Sequence, residues 1–433
     1  MIDIKLIREN PKIVKESQKK RGLDGKDVDR VLELDKKWRE MKQETDNLRA
    51  ERNKSSQEIN EAKKARDEKK AQLMIKKAKE IPEKLAKIEE EMKKIDSERV
   101  NILENIPNLV DKSLPIGGIN KNKVIEVHGK PEKFKFKIKG HEEILTALDC
   151  LDIERAGKAA GSRFYYLKRD LVRLNFAIIQ FALNFLAKKG FILMQPPYML
   201  NKQALKGAVT LSAFEEMIYK IEGEDLYLIG TAEHALNAYH MNETINVEKP
   251  IRMAGISPCF RKEAGAHGKD TKGIFRIHQF EKVEQFVFCK PQDSWKEFDL
   301  ILNNSREMLK LLGIPFRFIV LATEDLGRVA TKTIDFEGWF PSANTYRELG
   351  SCSNCTDYQA RRSSIKYQDK EGLKFVHTLN NTAIATERMI ACLVENNQTK
   401  DGSIKIPKSL WKYAGFKEIK PVKEIKPEKK KKK

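Results

Sequence analysis

The sequence predicts an α+β fold: a mostly antiparallel β-sheet with flanking helices, preceded by an N-terminal antiparallel α-helical coiled-coil hairpin. Three observations carry this prediction. Residues 27–106 are rich in Lys, Glu, Arg, Gln and Ala and almost free of Gly and aromatic residues, which is the composition of long helices. Two apolar seams, each stepping alternately by three and four, run through that region. After residue 111 the composition shifts to mixed apolar segments with aromatic residues, and short strand candidates cluster there.

The first seam is Val31, Leu34, Trp38, Met41, Thr45 and Leu48; the second is Ile81, Leu85, Ile88, Met92, Ile95, Arg99, Ile102 and Ile106. Two seams imply two helices. The repeat fades through residues 63–70 (KKARDEKK), which leaves room for a turn, and Pro82 suits a first helical turn or a kink. Arms of roughly 35 to 40 residues, at about 1.5 Å per residue, would project on the order of 50 to 60 Å. The same periodicity also fits an intermolecular coiled coil. Pro107 and residues 115–120 (PIGGIN) close the helical region. The expected organisation is therefore a helical domain over 1–110 with its arm at about 27–106, a second domain over 111–416, and a Lys-rich tail over 417–433 expected to be disordered. In the second domain helices are expected at 171–189, 293–312 and 386–396. Strands are expected at 190–197, 225–229, 251–256, 274–288, 315–322 and 334–340.

The formal net charge is +20, from 83 Lys+Arg against 63 Asp+Glu. The tail holds nine lysines and three glutamates, so it supplies +6 and leaves +14 elsewhere. A basic excess of this size favours a polyanionic partner, nucleic acid or an anionic surface. The opening MIDIKLIREN lacks the order of a secretory signal. The most apolar run, 174–187, is interrupted by Asn175, Gln180 and Asn184 and is shorter than the roughly 20 residues a bilayer requires, so no membrane partner is expected. Six scattered cysteines without a secretion signal point to reduced thiols and a cytoplasmic location. Cys352 and Cys355 have metal-ligand spacing, but no second ligand pair accompanies them, and no zinc is expected.

Residues 260–284 (FRKEAGAHGKDTKGIFRIHQFEKVE) read as two strands joined by a polar, Gly-containing loop, which places Arg261 and Arg276 near one another on adjacent strands. Arginines on a rigid sheet are suited to gripping phosphates in a fixed geometry. The string resembles motif 2 of the class II aminoacyl-tRNA synthetases, and FRKEAG paired with FRIHQFEKVEQ resembles the seryl family in particular. GFILMQPP at 190–197, with its preceding helix, resembles motif 1, and NNTAIATERMIACLVEN at 380–396 resembles motif 3, a strand entering a helix. GTAE at 230–233 and ELGSCSNC at 348–355 are also similar to seryl-family strings. With the hairpin included, the resemblance covers nearly the whole chain.

The resemblance implies a sheet of class II synthetase type and a reaction in two steps. L-serine is joined to ATP to give seryl-adenylate and pyrophosphate, and the seryl group then passes to the 3′ end of tRNA-Ser, and of the selenocysteine tRNA where one is present. It implies that Arg261, Arg276 and Arg388 carry catalysis: Arg261 at the α-phosphate, Arg276 at the outer phosphates, Arg388 at the phosphates and one adenine face. Phe280 covers the other face, Glu263 reads the adenine edge, and Lys262 and Ile277 line the ATP site through backbone. Glu348, Leu349, Gly350 and Ser351 complete the ATP site, with Glu348 and Ser351 as Mg²⁺ ligands. Thr231, Ala232, Glu233, Arg261, Glu284 and Thr382 surround serine, Arg261 neutralising its carboxylate and Glu284 meeting its ammonium and hydroxyl. His267, His278 and Cys289 are set aside, because the family mechanism uses no protein nucleophile; His278 is expected to order the strand. A homodimer through the motif 1 region and a hairpin that grips tRNA are implied as well. Gly350 stands where many relatives have Ser, and Glu387 where others have Pro or Gly before the arginine, an archaeal-type pattern. Two other readings use the same residues: an adenylating enzyme that loads a carrier other than tRNA, and a coiled-coil RNA-binding protein with an inactive catalytic domain.

Overall fold

A computed structural model describes residues 1–210, 217–263 and 273–421. His267, the loop 264–272 and the tail from residue 422 lie outside the described residues. Of the stretch 417–433 expected to be disordered, residues 417–421 are described, and Glu418–Ile419 is a short strand paired with Ile404–Lys405, with Ile419 buried. The chain divides into two compact units: Met1–Lys19 with Leu23–Pro107, and Lys20–Gly22 with Asn108–Lys433.

The first unit holds α1 (Ile4–Glu9), α2 (Pro11–Lys20), α3 (Lys26–Lys64), α4 (Glu68–Ala78) and α5 (Glu80–Asn105). α3 is 39 residues long, which at 1.5 Å per residue is about 58 Å. The chain reverses at 65–67, inside the stretch where the apolar repeat fades: Arg66 takes a φ of 56° and the Asp67 carboxylate caps α4 by accepting the Lys70 N–H at 3.0 Å. The returning arm is two helices, not one, meeting at Lys79, and Pro82 falls in the first turn of α5, where a missing N–H breaks no helical bond. Ion pairs Arg30–Glu98, Lys37–Glu91 and Arg49–Glu89 descend along one helix as they ascend the other, so α3 and α5 are antiparallel. Leu34, Met41 and Ile95 are buried between them, with Trp38, Ile88, Met92 and Ile102 packed alongside.

Arg99 occupies a seam position for an electrostatic reason. Asp35 is fully buried and is gripped by Arg8, Arg39 and Arg99 at 2.7, 3.0 and 2.8 Å. The Arg99 guanidinium also lies 4.8 Å over the Trp38 ring. Burial alone pushes the Asp35 carboxyl up, but hydrogen bonds from Arg8 and Arg39 outweigh it and hold the group below its ordinary value.

The second unit is built on an eight-stranded sheet. Its strands are β1 (Lys123–His128), β2 (Ile192–Met194), β3 (Ile251–Phe260), β4 (Gln279–Cys289), β5 (Phe316–Val320), β6 (Lys332–Phe340), β7 (Thr345–Thr356) and β8 (His377–Ala385). Their order is β1-β5-β6-β7-β8-β4-β3-β2, antiparallel throughout except for the β3–β2 pair at the edge. The helices that matter here are α6 (His141–Ala147), α7 (Asp170–Lys188), α8 (Ala232–Ala238), α9 (Ser294–Leu312) and α10 (Thr386–Asn396). Leu171 and Ile178 of α7, Ile301 and Met308 of α9, and Ile390 of α10 share one core with Val283, Phe318, Phe336 and Leu379 of the sheet. Each fully buried side chain of this kind contributes about 1.5–3 kcal/mol against exposure. By length and composition α7 is apolar enough to cross a membrane, but Leu171, Leu174, Ile178, Phe181 and Leu186 are buried in this core, so it serves as a core helix.

Three strand expectations change here, and three further strands were not expected. β3 runs on to Phe260 through Pro258, because its outer neighbour β2 ends opposite Gly255 and leaves the Pro258 side of the strand without a ladder to break. The stretch 274–278 is not strand; β4 begins at Gln279, after Gly273 turns the chain at a φ of 69°. Arg261 and Arg276 therefore flank strand ends and do not sit on adjacent strands. The expected strand 225–229 shrinks to Tyr227–Leu228, paired outside the main sheet with Met199–Leu200. Three sheet strands had no counterpart among the expected strands: β1, β7 and, apart from the motif 3 resemblance, β8.

Candidate functional site

Two adjoining clefts open where the ends of β3 and β4, the middle of β7 and β8, and the first residues of α8 and α10 converge. They share Arg261, Phe280, Ala385 and Arg388. The larger, of about 240 Å³, is lined by Thr231, Glu233, Lys282, Glu284, Glu348 to Ser351, Asn380 and Thr382. The other is lined by Glu263, Ile274 to Ile277 and Glu387.

Sheet register builds the larger cleft. β8 pairs with β4 so that Thr382 lies opposite Glu284, and the ladder slips immediately after Thr382, a bulge that aims this stretch toward the cleft. Thr231 caps α8, its hydroxyl oxygen accepting the Glu233 N–H at 3.2 Å and its O–H donating to Glu284 Oε2 at 3.4 Å. Glu284 is buried and forms an ion pair with Lys282, two residues earlier on the same strand face. Gly350 of β7 is squeezed between Phe336 and Thr382: a Cβ there would overlap Phe336 Cζ and lie 2.7 Å from Thr382 Cβ. That contact is the local reason for glycine.

The two carboxylates of this cleft differ in their partners. Glu284 meets a cation, whereas Glu233 Oε1 accepts from two neutral amides, Gln359 Nε2 at 2.7 Å and Asn380 Nδ2 at 3.0 Å. Burial of its carboxyl, and then the negative charge of Glu284, push Glu233 up to about 7. Next to it, burial together with Arg261 and Lys282 depress His234 to about 3, so its imidazole is neutral and Nδ1 accepts the Gly230 N–H at 3.3 Å.

The second cleft is walled by guanidinium groups and rings. Arg261 donates from Nε to Gly230 O at 3.1 Å and lies 5.2 Å over the Phe280 ring. His278 fixes its backbone: Arg261 N–H donates to His278 O at 2.9 Å, and His278 Nδ1 donates to Arg261 O at 2.8 Å. Arg276 pairs with Glu263 at 3.5 Å and Arg388 with Glu348 at 2.9 Å. The Phe275 ring carries the guanidinium of Arg347 at 3.6 Å and that of Arg388 at 5.1 Å. Ile277 and Leu349 are buried side chains, so what they offer a ligand is backbone.

Arg388 holds the Glu348 carboxyl below its ordinary value against the opposing effect of burial. Across the ladder Asp335 faces Ser351 and hydrogen-bonds it; burial and the Glu348 charge push its carboxyl well up, and its Oδ1 has no hydrogen-bond partner among the described residues. Glu348, Ser351 and Asp335 are all hard oxygen donors, a set that suits Mg²⁺ over softer metals. No cluster of three or more His, Cys, Asp or Glu occurs among the described residues, so such an ion would draw its remaining ligands from phosphate and water. Cys352 and Cys355 are buried and separately engaged, Cys352 Sγ with Phe298 O and Cys355 Sγ with Asn380 Nδ2.

Of the residues singled out from sequence, Thr231, Glu233, Arg261, Glu263, Arg276, Ile277, Phe280, Glu284, Glu348, Leu349, Gly350, Ser351, Thr382 and Arg388 line the two clefts. Ala232 and Lys262 do not: Ala232 is fully buried under the cleft wall, and Lys262 is exposed, with its backbone N–H bonded to Met217 O at 3.0 Å. Lys282, Gln359, Asn380 and Asp335 were not singled out. Only Lys282 had a readable signal, its place two residues before Glu284 on one strand face. The others reach the site through folding.

Known proteins match along the whole length. Residues 1–110 match the family described as seryl-tRNA synthetase N-terminal domain, and residues 216–397 the tRNA synthetase class II core domain (G, H, P, S and T). A serine–tRNA ligase of Nitrosopumilus maritimus (strain SCM1) is 48% identical over 419 residues, 96% of this chain and 99% of its own. One from Thermococcus sibiricus (strain DSM 12597 / MM 739) is 47% identical over 449 residues, 98% of each chain. The crystal structure of seryl-tRNA synthetase from Pyrococcus horikoshii complexed with ATP superposes with a TM-score of 0.91 at 44% identity, covering 98% of this chain and 100% of that one. That of the cytoplasmic serine–tRNA ligase of Naegleria fowleri in complex with AMP gives 0.85 at 39% identity, covering 98% and 99%.

Proposed function

We propose a division of labour among the residues of this site from the premise that the chain belongs to the seryl-tRNA synthetase family. The chain is an ATP-dependent serine–tRNA ligase: it joins L-serine to ATP, releasing pyrophosphate, and passes the seryl group to the 3′ end of tRNA-Ser.

The observation that carries the assignment of roles is the unequal pairing of the two carboxylates. Glu284 already has Lys282 as counter-ion, so its free oxygen is suited to the serine hydroxyl, with Thr382 opposite. Glu233 is held by amides alone and is the better partner for the ammonium. Arg261 then receives the serine carboxylate and the α-phosphate together, offsetting the repulsion between two anions that must approach in line. Arg276 holds the outer phosphates. Phe280 and Arg388 take the two faces of adenine, and an arginine over such a plane is worth about 0.5–2 kcal/mol by analogy with other cation–π pairs. No protein nucleophile is needed: the attacking group is the serine carboxylate and the leaving group is pyrophosphate.

Glu348 and Ser351, with Asp335 beside them, would hold Mg²⁺, which supplies charge neutralisation on the bridging phosphates. Glu348 would also keep Arg388 aimed at the cleft.

The remaining assignments follow the same premise. Residues 111–416 catalyse, and the arm at 27–106 holds tRNA. Its tip is the basic part: residues 51–80 hold ten Lys+Arg against six Asp+Glu, a charge that favours phosphate contacts. Phe176 of α7 and Ile192 and Leu193 of the edge strand β2 are exposed at 61%, 54% and 46%. An open apolar edge of this kind is suited to a second copy of the chain, giving a homodimer. Six buried, unpaired cysteines suit the reducing cytoplasm. The test is charging of tRNA-Ser beside serine-dependent ATP–pyrophosphate exchange, in the full chain and in one lacking residues 27–106. Exchange is expected in both and charging only in the full chain. Equal charging by the two would refute the role of the arm.

A further inference from the structure

The helix that carries Arg388 and the segment that carries Arg276 meet at a buried point that the roles above do not use. His141 opens α6 and is 5% exposed; Glu395, near the end of α10, is 1% exposed. Glu395 Oε1 accepts from the His141 backbone N–H at 3.1 Å and from His141 Nδ1 at 2.9 Å. Its Oε2 accepts from the backbone N–H of Ser342 at 3.1 Å and from the Ser342 hydroxyl at 2.6 Å. Four donors fill the lone pairs of one carboxylate. Burial pushes this carboxyl up, yet the bonds from His141 and Ser342 outweigh it and keep the group below its ordinary value.

This carboxylate assigns the histidine tautomer. An ionised oxygen only accepts, so the ring proton sits on Nδ1 and Nε2 is left as an acceptor. Nε2 receives the Ile274 N–H at 3.3 Å. Ile274 lies five residues before β4 begins, so the sheet ladder gives its N–H no partner. Gly273 makes the approach possible: its φ is 69°, and a Cβ there would overlap His141 Nε2 and lie 2.8 Å from Cδ2. From this anchored point the chain runs directly into Phe275, whose ring lies under the Arg388 guanidinium, then Arg276 and Ile277. Glu395 lies seven residues from Arg388 on α10, about 10 Å along the helix axis.

We infer that His141 is a positioning residue of the adenylation site: through Glu395 and the Ile274 N–H it sets the spacing between the Arg388 helix and the Arg276 segment, and thereby the grip on ATP. The inference rests on the reading of this cleft as the ATP site. Side chains that never touch a ligand act in this way when they lock the backbone that does.

The experiment is serine-dependent ATP–pyrophosphate exchange with KM measured separately for ATP and for serine. Exchange by the unaltered chain decides the reading of the site, and the variants decide the role of His141. His141→Ala is expected to raise KM for ATP roughly ten- to a hundredfold while KM for serine stays within about twofold. His141→Gln, whose carboxamide oxygen accepts from the Ile274 N–H, is expected to recover most of that loss. Gly273→Ala attacks the same contact from the exposed side and is expected to reproduce the rise in KM for ATP, which keeps the proposal testable if His141→Ala does not fold. An unchanged KM for ATP in folded His141→Ala or Gly273→Ala, or a Gln variant no better than Ala, overturns it.

Discussion

With the serine ammonium assigned to Glu233 as proposed, the pairing of that carboxylate with neutral amides predicts serine binding that depends on pH. Its carboxyl titrates at about 7, and only the ionised form meets an ammonium well. If apparent affinity scales with the ionised fraction, about one site in eleven is competent at pH 6 and about ten in eleven at pH 8, so KM for serine falls about tenfold across that range, or about 1.4 kcal/mol. His234 cannot produce the profile, since it titrates at about 3 and stays neutral throughout. The sign on stability is opposite. A carboxyl raised from 4.5 to about 7 favours the folded state most at pH below its unfolded value, and that contribution is lost as pH rises through about 7. Serine should restore it, so the rise in Tm on adding serine should grow with pH. Glu233→Gln removes both effects: KM rises by a factor set by the lost buried pair, about 2–5 kcal/mol, and becomes flat with pH. The assay is pyrophosphate exchange from pH 6 to 8 at saturating ATP. A Gln variant that keeps the slope, or an unaltered chain without one, refutes the assignment of the ammonium to Glu233.

Three further outcomes are expected. Gly350→Ala drives a methyl group into Phe336 and Thr382, costing about 1–3 kcal/mol and raising KM for serine; Phe336→Leu in the same chain should recover part of both, read by thermal melts and exchange. Glu348→Gln removes the counter-ion of Arg388 and a hard oxygen, so the Mg²⁺ needed for half-maximal exchange should rise roughly tenfold, and an unchanged requirement would remove Glu348 from the metal site. Asp35→Asn leaves Arg8, Arg39 and Arg99 without their shared charge, at about 3 kcal/mol because Arg8 and Arg39 reach solvent. Charging of tRNA should fall with loss of helical signal while exchange is spared. Because the Asp35 carboxyl is held below its ordinary value, this stabilisation is present at neutral pH and disappears as pH falls through the lowered titration point.

What the sequence made legible follows from what kinds of force leave a periodic trace. The α3 and α5 seams and the helix at Thr386–Asn396 are amphipathic over several turns, and their places could be read directly. β7 and β8 could not be read as strands from pattern. Gly350 and Asn380 sit in them because they line a cleft, and Asn354 and Asn381 because they bond to α9 from buried positions, at Ser294 and at Ile301 and Ser305; such residues are depleted in ordinary strands. The residues proposed to touch ligand were readable through the family resemblance, and most of them line the two clefts. Of those that set charge and position, Lys282 alone stands beside its partner in the chain; Gln359, Asn380 and the His141–Glu395 pair are joined across 126 to 254 residues and Asp335 meets Ser351 from a separate strand, so no local pattern marks them. Arg99 is the instructive exception: its presence in an apolar seam signals a buried acid, and Asp35 is that acid.

The roles proposed for Glu284 and Thr382 predict that this cleft selects serine by polar groups that an amino acid without a hydroxyl would strand. The most direct measurement is kcat/KM in pyrophosphate exchange for serine against alanine, at pH 8 with saturating ATP. Glu284 and Thr382 left unpaired should disfavour alanine by roughly 10⁴-fold or more. Exchange supported by alanine within about tenfold of serine would contradict the claim.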